Sequence, residues 1–203
     1  MKIPCFSNEE IASLLERKRS YDVLDIRSSA KFMAGFIPHS LHLPESELNF
    51  LTNLRKIWPS PREVILVTNK TSVSDHVFTA IHEIGGKVNG FIEFKQWYTA
   101  GYPVLSFEEI TVQEIVENKI TPQFIDVRTK EEWEAKHIVH ARNIPLATLD
   151  LSLLKIPKNI TYVTFCAGVY RGINGAAKLR SHGYHVLYLA HGLRVLEQHS
   201  KNE

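Results

Sequence analysis

The feature that most constrains this chain is an internal repeat. Residues 22–39 align without a gap to residues 123–140, at an offset of 101 residues. Apolar positions mostly coincide, and identical residues recur at fixed places in and just beyond these segments: Asp25/Asp126, Arg27/Arg128, Ala34/Ala135, Ile37/Ile138, His39/His140, Pro44/Pro145 and Leu48/Leu149. Repetition at this period predicts two copies of one small domain within the 203 residues.

The hydrophobic pattern inside each copy predicts an α/β fold. Five apolar runs have the length and composition of buried strands: residues 21–26, 64–68, 123–127, 161–165 and 185–189. Helical patterns lie between them, for example at 74–84 and 172–182. Such alternation predicts a small parallel sheet with helices on both faces in each copy. A Gly-Tyr-Pro segment at 101–103 ends the first copy, so we expect domains at 1–104 and 105–203.

Three sequence signatures of helix N-termini support this alternation. Each has a Ser or Thr followed three residues later by Glu: Ser7/Glu10, Thr111/Glu114 and Thr129/Glu132. In such a capping box the hydroxyl accepts a hydrogen bond from a free backbone N–H, and the carboxylate reaches back. We therefore expect helices to begin just after residues 7, 111 and 129.

Composition and charge exclude several function classes. The net charge is only +2 and no Lys/Arg run stands out, so we expect no nucleic-acid partner. No 18 apolar residues run together, and the N-terminus becomes charged early, so we expect neither a membrane span nor a signal peptide. The two cysteines, Cys5 and Cys166, form no C-x-x-C motif. They favour a reducing, cytoplasmic location over a disulfide-bonded one.

Histidines recur at the spacing H-x-x-H, which can suit zinc. The three pairs are His39/His42, His137/His140 and His182/His185. None has an evident third ligand or lies within one helix, so we expect structural histidines and no metal.

Cys166 is the strongest candidate for chemistry. It follows the apolar run 161–165, and a Gly-containing loop and then a helix with Arg171 near its start come next. Ligands of parallel α/β units bind at the carboxyl ends of the strands. The free amides of the helix, with Arg171, predict an anion-binding pocket that favours thiolate over thiol. The alternative is a small buried core residue; the loop setting favours the nucleophile.

The first copy lacks both chemical groups. When Gly85 is aligned with Gly183, Thr68 stands in place of Cys166 and Val73 in place of Arg171. We therefore expect the first domain to be inactive; the family resemblance described next implies a structural or regulatory role for it.

These motifs together resemble a tandem rhodanese whose second domain is catalytic. Asp126-Val-Arg128 with Trp133, and then 137–145, resemble the Asp-x-Arg and "GHIPGAxNIP" segments of that family. Residues 162–172 resemble its strand, cysteine loop and helix. Gly101-Tyr-Pro-Val104 resembles its closing "W…aGxPV" segment. The resemblance covers nearly the whole chain and rests on the order and spacing of the motifs.

The resemblance implies sulfur transfer without a metal or organic cofactor. Cys166 would take the outer sulfur of thiosulfate or a related persulfide and pass it to cyanide, a thiol or a sulfur-acceptor protein. The implied substrate-binding residues are those of the loop: Ala167, Gly168, Val169, Tyr170, Arg171 and Gly172. Asp126 and Arg128 recur beside the inactive loop as Asp25 and Arg27, so we expect them to support the site as an internal ion pair or cap.

Two other functions remain open on the same scaffold. Rhodanese-like phosphatases and arsenate reductases have the longer loop Cys-x5-Arg, whereas this chain has Cys-x4-Arg, which favours sulfur. A non-catalytic module that relays sulfur to a partner is the third reading. The family often reads Cys-x-x-Gly-x-Arg-Ser, but here Gly168 comes third and Gly172 replaces Ser. With Val169 and Tyr170 in place of Lys or Arg, we expect a less cationic pocket, which suits a larger or a less charged persulfide as donor.

Overall fold

The computed structural model describes residues 5–7, 9–10, 13, 21–70, 72–152 and 156–199. The chain divides into two compact units, Met1–Leu105 and Ser106–Glu203. Each unit contains one parallel β-sheet flanked by helices, so the α/β class expected from the sequence is confirmed.

The first unit has a four-stranded sheet in the order β2-β1-β3-β4. Its strands are β1 (Asp22–Asp25), β2 (Leu41–His42), β3 (Glu63–Thr68) and β4 (Lys87–Glu93). Its helices are α1 (Ser29–Ala34), α2 (Phe50–Ile57), α3 (Asp75–Glu83) and α4 (Phe94–Thr99). The hydrophobic pattern did not predict strand β4, because its Lys, Asn and Gly residues interrupt the apolar run.

The second unit has a five-stranded sheet in the order β5-β9-β8-β6-β7. Its strands are β5 (Glu108–Glu109), β6 (Gln123–Asp126), β7 (Arg142–Asn143), β8 (Thr161–Phe165) and β9 (His185–Leu189). Its helices are α5 (Val112–Glu117), α6 (Lys130–Ala135), α7 (Leu149–Ser152), α8 (Tyr170–Ser181) and α9 (Gly192–His199). A single 3-10 turn, Leu146–Thr148, precedes α7.

The apolar runs form the buried centre of each sheet. In the first unit one core cluster joins Val23, Ile37, Ile65, Val67, Ile92 and Trp97. In the second unit the cluster includes Val163, Phe165 and Leu189, which point to the same side of neighbouring strands. Phe165 is fully buried and immediately precedes Cys166, so packing of the core fixes where the cysteine emerges.

The capping boxes at Thr111 and Thr129 are confirmed. Each threonine hydroxyl accepts a hydrogen bond from the N–H of the glutamate three residues on, and each glutamate carboxylate accepts one from the threonine N–H. The reciprocal bonds between Ser7 and Glu10 also form. The body of the helix predicted after Ser7 lies outside the described residues.

Within the described part of the chain, no helix has the length and apolar character needed to cross a membrane.

Candidate functional site

Cys166 lies at the carboxyl end of β8, a strand in the interior of the second sheet. Only 2% of its surface is exposed. The N–H of Leu193 donates to the carbonyl of Cys166 over 3.3 Å, and the N–H of His191 donates to that of Gly168 over 3.1 Å. The segment after β9 therefore holds the cysteine loop in place.

Helix α8 begins earlier than the sequence suggested. The expected start was Gly172, but the helix starts at Tyr170, and Arg171 therefore lies in its first turn. This leaves Cys166, Ala167, Gly168 and Val169 between the strand and the helix.

The electrostatic environment of Cys166 differs from the expectation that the thiolate is favoured. Burial raises the pKa of the Cys166 thiol, and this effect exceeds the opposing contributions. Hydrogen bonds from the backbone N–H groups of Gly172 and Gly168, with the charge of Arg171, lower the pKa, while Asp126 raises it. The prediction of a net lowered pKa is wrong because it left out the desolvation of a nearly fully buried sulfur.

Arg171 is engaged by a carboxylate. Its two terminal nitrogens both donate to Glu132: Nη2 to Oε1 over 2.8 Å, and Nη1 to Oε2 in a shorter contact. These bonds lower the pKa of Glu132 to about 2. The side chain of Arg171 is 12% exposed. The nearest cation to Cys166 in sequence is thus largely neutralised by an internal partner.

Asp126 and Arg128 form the internal ion pair expected from their repetition. Arg128 Nη2 lies 2.6 Å from Asp126 Oδ2, and both side chains are almost fully buried. Arg128 also donates to the carbonyl of Lys136 over 2.7 Å. The pair thereby ties the end of β6 to the end of α6, the helix that carries Glu132. Its influence on Cys166 is indirect, through that helix and through the charge of Asp126.

The remaining loop residues bring no charge to the site. Ala167 is exposed, whereas Gly168, Val169 and Tyr170 are half-buried. Gly172 is buried, and a methyl group added there would lie 2.6 Å from Cε2 of Tyr188. Glycine at this position thus has a physical reason: the ring of Tyr188 occupies the space that a side chain would need.

Sequence reasoning missed two neighbours of the site, Glu132 and Tyr188. Glu132 had been identified only as a capping residue, and it serves both as cap and as partner of Arg171. Tyr188 had been part of an apolar strand. No sequence signal reports contacts of this kind between residues far apart in the chain, apart from the absence of a side chain at Gly172.

The first unit confirms the expected alignment of the two copies. Asp25 pairs with Val67 in the first sheet, as Asp126 pairs with Phe165 in the second. The next residues, Thr68 and Cys166, are therefore structurally equivalent.

The first unit also holds a carboxylate where its loop meets α3. Glu45 Oε1 accepts hydrogen bonds from the N–H and the hydroxyl of Ser74, each 2.6 Å long. Glu45 Oε2 lies 2.7 Å from Nζ of Lys70. Partial burial would raise the pKa of Glu45, but these hydrogen bonds together lower it. The start of α3 is thus occupied by the chain's own anion.

The histidine pairs show structural contacts. Buried His42 contacts Ser29 Oγ and the carbonyl of Asp25 at 3.0 Å each. His137 Nδ1 lies 3.0 Å from the carbonyl of Trp133, on which its ring also stacks, and His182 Nδ1 lies 2.8 Å from that of Lys178. Among the described residues, no cluster of three or more His, Cys, Asp or Glu side chains could hold a metal ion.

Cys5 lies in the first unit. It is exposed, forms no disulfide, and makes an isolated parallel bridge with Phe91 at the edge of the first sheet.

A family model matches part of the second unit. The model described as "Rhodanese-like domain" matches residues 111–199, which is less than half of the 203 residues. No curated protein sequence matches the chain significantly.

Solved structures that are similar to this chain include a sulfurtransferase, a rhodanese-like protein and a persulfide reductase. A thiosulfate sulfurtransferase from Pseudomonas aeruginosa is 18% identical over 92% of this chain and 43% of its own, with a TM-score of 0.39. A rhodanese-like domain protein from Staphylococcus aureus is 28% identical over 44% of this chain and 90% of its own, with a TM-score of 0.40. An NAD-dependent persulfide reductase from A. fulgidus is 30% identical over 41% of this chain and 15% of its own, with a TM-score of 0.34. This chain thus spans less than half the length of the first of these proteins.

Proposed function

We propose that this protein is a sulfurtransferase that carries sulfane sulfur as a persulfide on Cys166. The observation that carries the proposal is the placement of the sulfur. Cys166 immediately follows an interior strand, a four-residue connection leads from that strand to helix α8, and hydrogen bonds from the N–H groups of Gly168 and Gly172 lower the pKa of Cys166. Amide donors at a helix start stabilise a negatively charged sulfur. The rhodanese-like match over 111–199 supports the same chemistry.

The proposed reaction has two steps. The Cys166 thiolate attacks the outer sulfur of the donor, the S–S bond of the donor breaks, and the remainder leaves as sulfite or a thiolate. A nucleophilic acceptor, cyanide or a thiol, then attacks the outer sulfur of the persulfide and releases the Cys166 thiolate. No net oxidation or reduction accompanies the two steps, and the amides of Gly168 and Gly172 hold the negative charge in both.

The charges around Cys166 favour a donor less charged than thiosulfate. Arg171 is paired with Glu132, and the loop residues Ala167, Val169 and Tyr170 are uncharged. Binding a dianion next to a neutralised arginine forfeits most of the attraction that a free guanidinium would supply. We therefore propose a small organic persulfide as the preferred donor and thiosulfate as a poorer one.

The second unit alone is proposed to be catalytic. In the first unit, Thr68 takes the position of the cysteine and is only 3% exposed. The Glu45 carboxylate lies at the start of helix α3 in this unit. A free, buried Cys166 that must stay reduced also fits a reducing compartment, and we propose the cytoplasm.

The test measures sulfur uptake by intact mass. The purified chain is mixed with thiosulfate or glutathione persulfide, and its mass is recorded before and after addition of cyanide. We expect a gain of one sulfur atom that cyanide removes as thiocyanate. Cys166→Ser should abolish the gain, whereas Cys5→Ser, the same change at the other cysteine, should not.

Other outcomes would redirect the proposal. Failure to gain sulfur from either donor, together with turnover of an aryl phosphate, would contradict it in favour of a phosphatase. Stable sulfur on Cys166 that neither cyanide nor thiols remove would favour a module that relays sulfur to a partner protein.

A further inference from the structure

Tyr188 carries a buried hydroxyl with no hydrogen-bond partner among the described residues. Its side chain lies in β9, and the residue is 1% exposed. Two other buried tyrosines of this unit are satisfied: Tyr162 donates to the carbonyl of Pro157 over 2.8 Å, and Tyr184 to that of Ile156 over 3.4 Å. Burying a hydroxyl without a partner is costly, so the exception calls for a physical reason.

The ring of Tyr188 lies against the group that binds the Cys166 sulfur. Tyr188 pairs with Thr164 on the adjacent strand, two residues before the cysteine. A methyl group built on Gly172 would be 2.6 Å from Cε2 and 3.1 Å from Cδ2 of Tyr188. The N–H of the same Gly172 donates to the sulfur of Cys166. The tyrosine and the cysteine therefore adjoin the same residue at the start of α8.

The charges around Tyr188 and Cys166 suit a hydroxyl that donates a hydrogen bond and a sulfur that accepts it. Burial raises the pKa of the Tyr188 hydroxyl, and the charges of Cys166, Glu109 and Tyr170 raise it further. The hydroxyl therefore keeps its proton at neutral pH and can donate. The charged groups that act on Cys166 are Arg171, which is occupied by Glu132, and Asp126, which disfavours the thiolate.

We propose that the Tyr188 hydroxyl donates a hydrogen bond to the sulfur anion of Cys166, in the thiolate and in the persulfide. The contact forms when the thiol ionises or takes up sulfur, since the hydroxyl has no partner among the described residues in the structure of the unmodified chain. The hydroxyl adds a third donor to the amides of Gly168 and Gly172. No bond forms or breaks at Tyr188, and its proton stays on the phenol throughout. The inference rests on the proposed role of Cys166 as the sulfur carrier.

The test removes one oxygen atom from each of two buried tyrosines. Tyr188→Phe and the matched control Tyr162→Phe are made in the Cys5→Ser chain, which leaves Cys166 as its one thiol. The rate of Cys166 alkylation by iodoacetamide is followed from neutral to alkaline pH. We expect Tyr188→Phe to raise the apparent pKa of the thiol by about one unit, so alkylation at neutral pH slows about tenfold. Tyr162→Phe should leave the profile unchanged.

Thermal unfolding of the same variants separates a functional hydroxyl from a structural one. At neutral pH Cys166 is a thiol because its pKa is raised, so Tyr188→Phe loses no hydrogen bond to any described residue and its unfolding midpoint should stay the same or rise. Tyr162→Phe loses the bond to Pro157 and should unfold at a lower temperature. An unchanged alkylation profile in Tyr188→Phe would overturn the assignment, whatever its effect on unfolding.

The persulfide provides the second readout. After loading with glutathione persulfide, transfer of the outer sulfur from Cys166 to cyanide should be about tenfold slower in Tyr188→Phe than in the parent chain, because the Cys166 thiolate that is released has lost a hydrogen bond. If the parent chain takes no sulfur from any donor but the alkylation profile still shifts, the proposed function fails and the contact with the thiolate is supported.

Discussion

The two units share the same buried ion pair beside a central strand, but they differ in the residue that follows that strand, Thr68 in the first unit and Cys166 in the second. In both, a buried Asp–Arg pair follows the first long strand: Arg27 Nη2 lies 2.5 Å from Asp25 Oδ2, and the pair Arg128–Asp126 lies at 2.6 Å. Each arginine also donates to a carbonyl eight residues on. Because the pair persists beside both loops, it belongs to the scaffold and does not decide whether a unit is reactive.

The difference lies in what occupies the start of the helix that follows the central strand. In the second unit, helix α8 begins four residues after Cys166, whose sulfur accepts hydrogen bonds from backbone N–H groups at the start of this helix. In the first unit, α3 begins seven residues after Thr68, and the Glu45 carboxylate accepts a hydrogen bond from the N–H of Ser74. The counterpart of Glu45 is Leu146, since each donates its N–H to the residue after the matched aspartate. The first unit therefore differs from the second not only in lacking the cysteine but also in its longer connection to the helix and in the carboxylate at the helix start.

The largest expected effect comes from moving the thiol to the first unit. In the double variant Cys166→Ser, Thr68→Cys, we expect sulfur uptake to fall about a thousandfold or more relative to the parent chain. The reason is that Glu45 already fills the anion position and its charge repels a sulfur anion. Intact mass and peptide mapping after exposure to glutathione persulfide measure the uptake at residue 68.

A third substitution makes this comparison sharper. Adding Glu45→Leu installs the residue that the second unit carries at Leu146, and any recovery of uptake would be assigned to removal of that carboxylate. Uptake at residue 68 equal to that of the parent, with Glu45 in place, would show that the nucleophile alone separates the two units.

The sequence predicted the strands and their alignment between the two units better than the contacts made by the side chains of the site. Strands β8 and β9 coincide with their predicted bounds because their apolar residues are continuous and the neighbouring Gly and Pro residues mark the ends. The repeat correctly aligned Thr68 with Cys166, which the strand register confirms.

The site contents depend on contacts that sequence patterns do not encode. The bond between Arg171 and Glu132 joins residues 39 positions apart, and neither position predicts the other. The pKa of Cys166 is raised because burial exceeds the helix-start effect, and the degree of burial is known only after packing. The carboxylate of Glu45 likewise reaches Ser74 across 29 positions.

A second prediction uses His42 and Asn143, which end the short strands β2 and β7 at matching positions of the two units. His42 contacts the carbonyl of Asp25, and its counterpart Asn143 donates to the carbonyl of Asp126, each over 3.0 Å. Burial lowers the pKa of His42 from 6.5 to about 3. Below its ordinary pKa the imidazole is protonated in the unfolded chain but still neutral in the folded one. The stability of the first unit should therefore be complete above pH 6.5 and fall as the pH drops toward 3.

The substitution His42→Asn should remove this dependence. By about pH 4 the loss in the parent chain is on the order of 3 kcal/mol in the free energy of unfolding of the first unit. Urea titrations at neutral and acidic pH, followed by amide NMR signals from each unit, give the two stabilities separately. A decline with pH in the first unit that is equally steep in His42→Asn would assign it to other groups.

The smallest expected effect tests whether the pairing of Arg171 sets the preference for the donor. Glu132→Gln removes the charge that neutralises Arg171 but keeps a side chain able to form the capping box with Thr129. The freed guanidinium should raise the ratio of kcat/KM for thiosulfate to that for glutathione persulfide by about three- to fivefold, the range of a partly exposed ion pair. Glu134→Gln is the matched control, because Glu134 lies on the same helix and pairs with Lys130 at 3.4 Å. If both variants change the ratio equally, the effect reflects net charge alone; if Glu132→Gln leaves it unchanged, Arg171 has no part in choosing the donor.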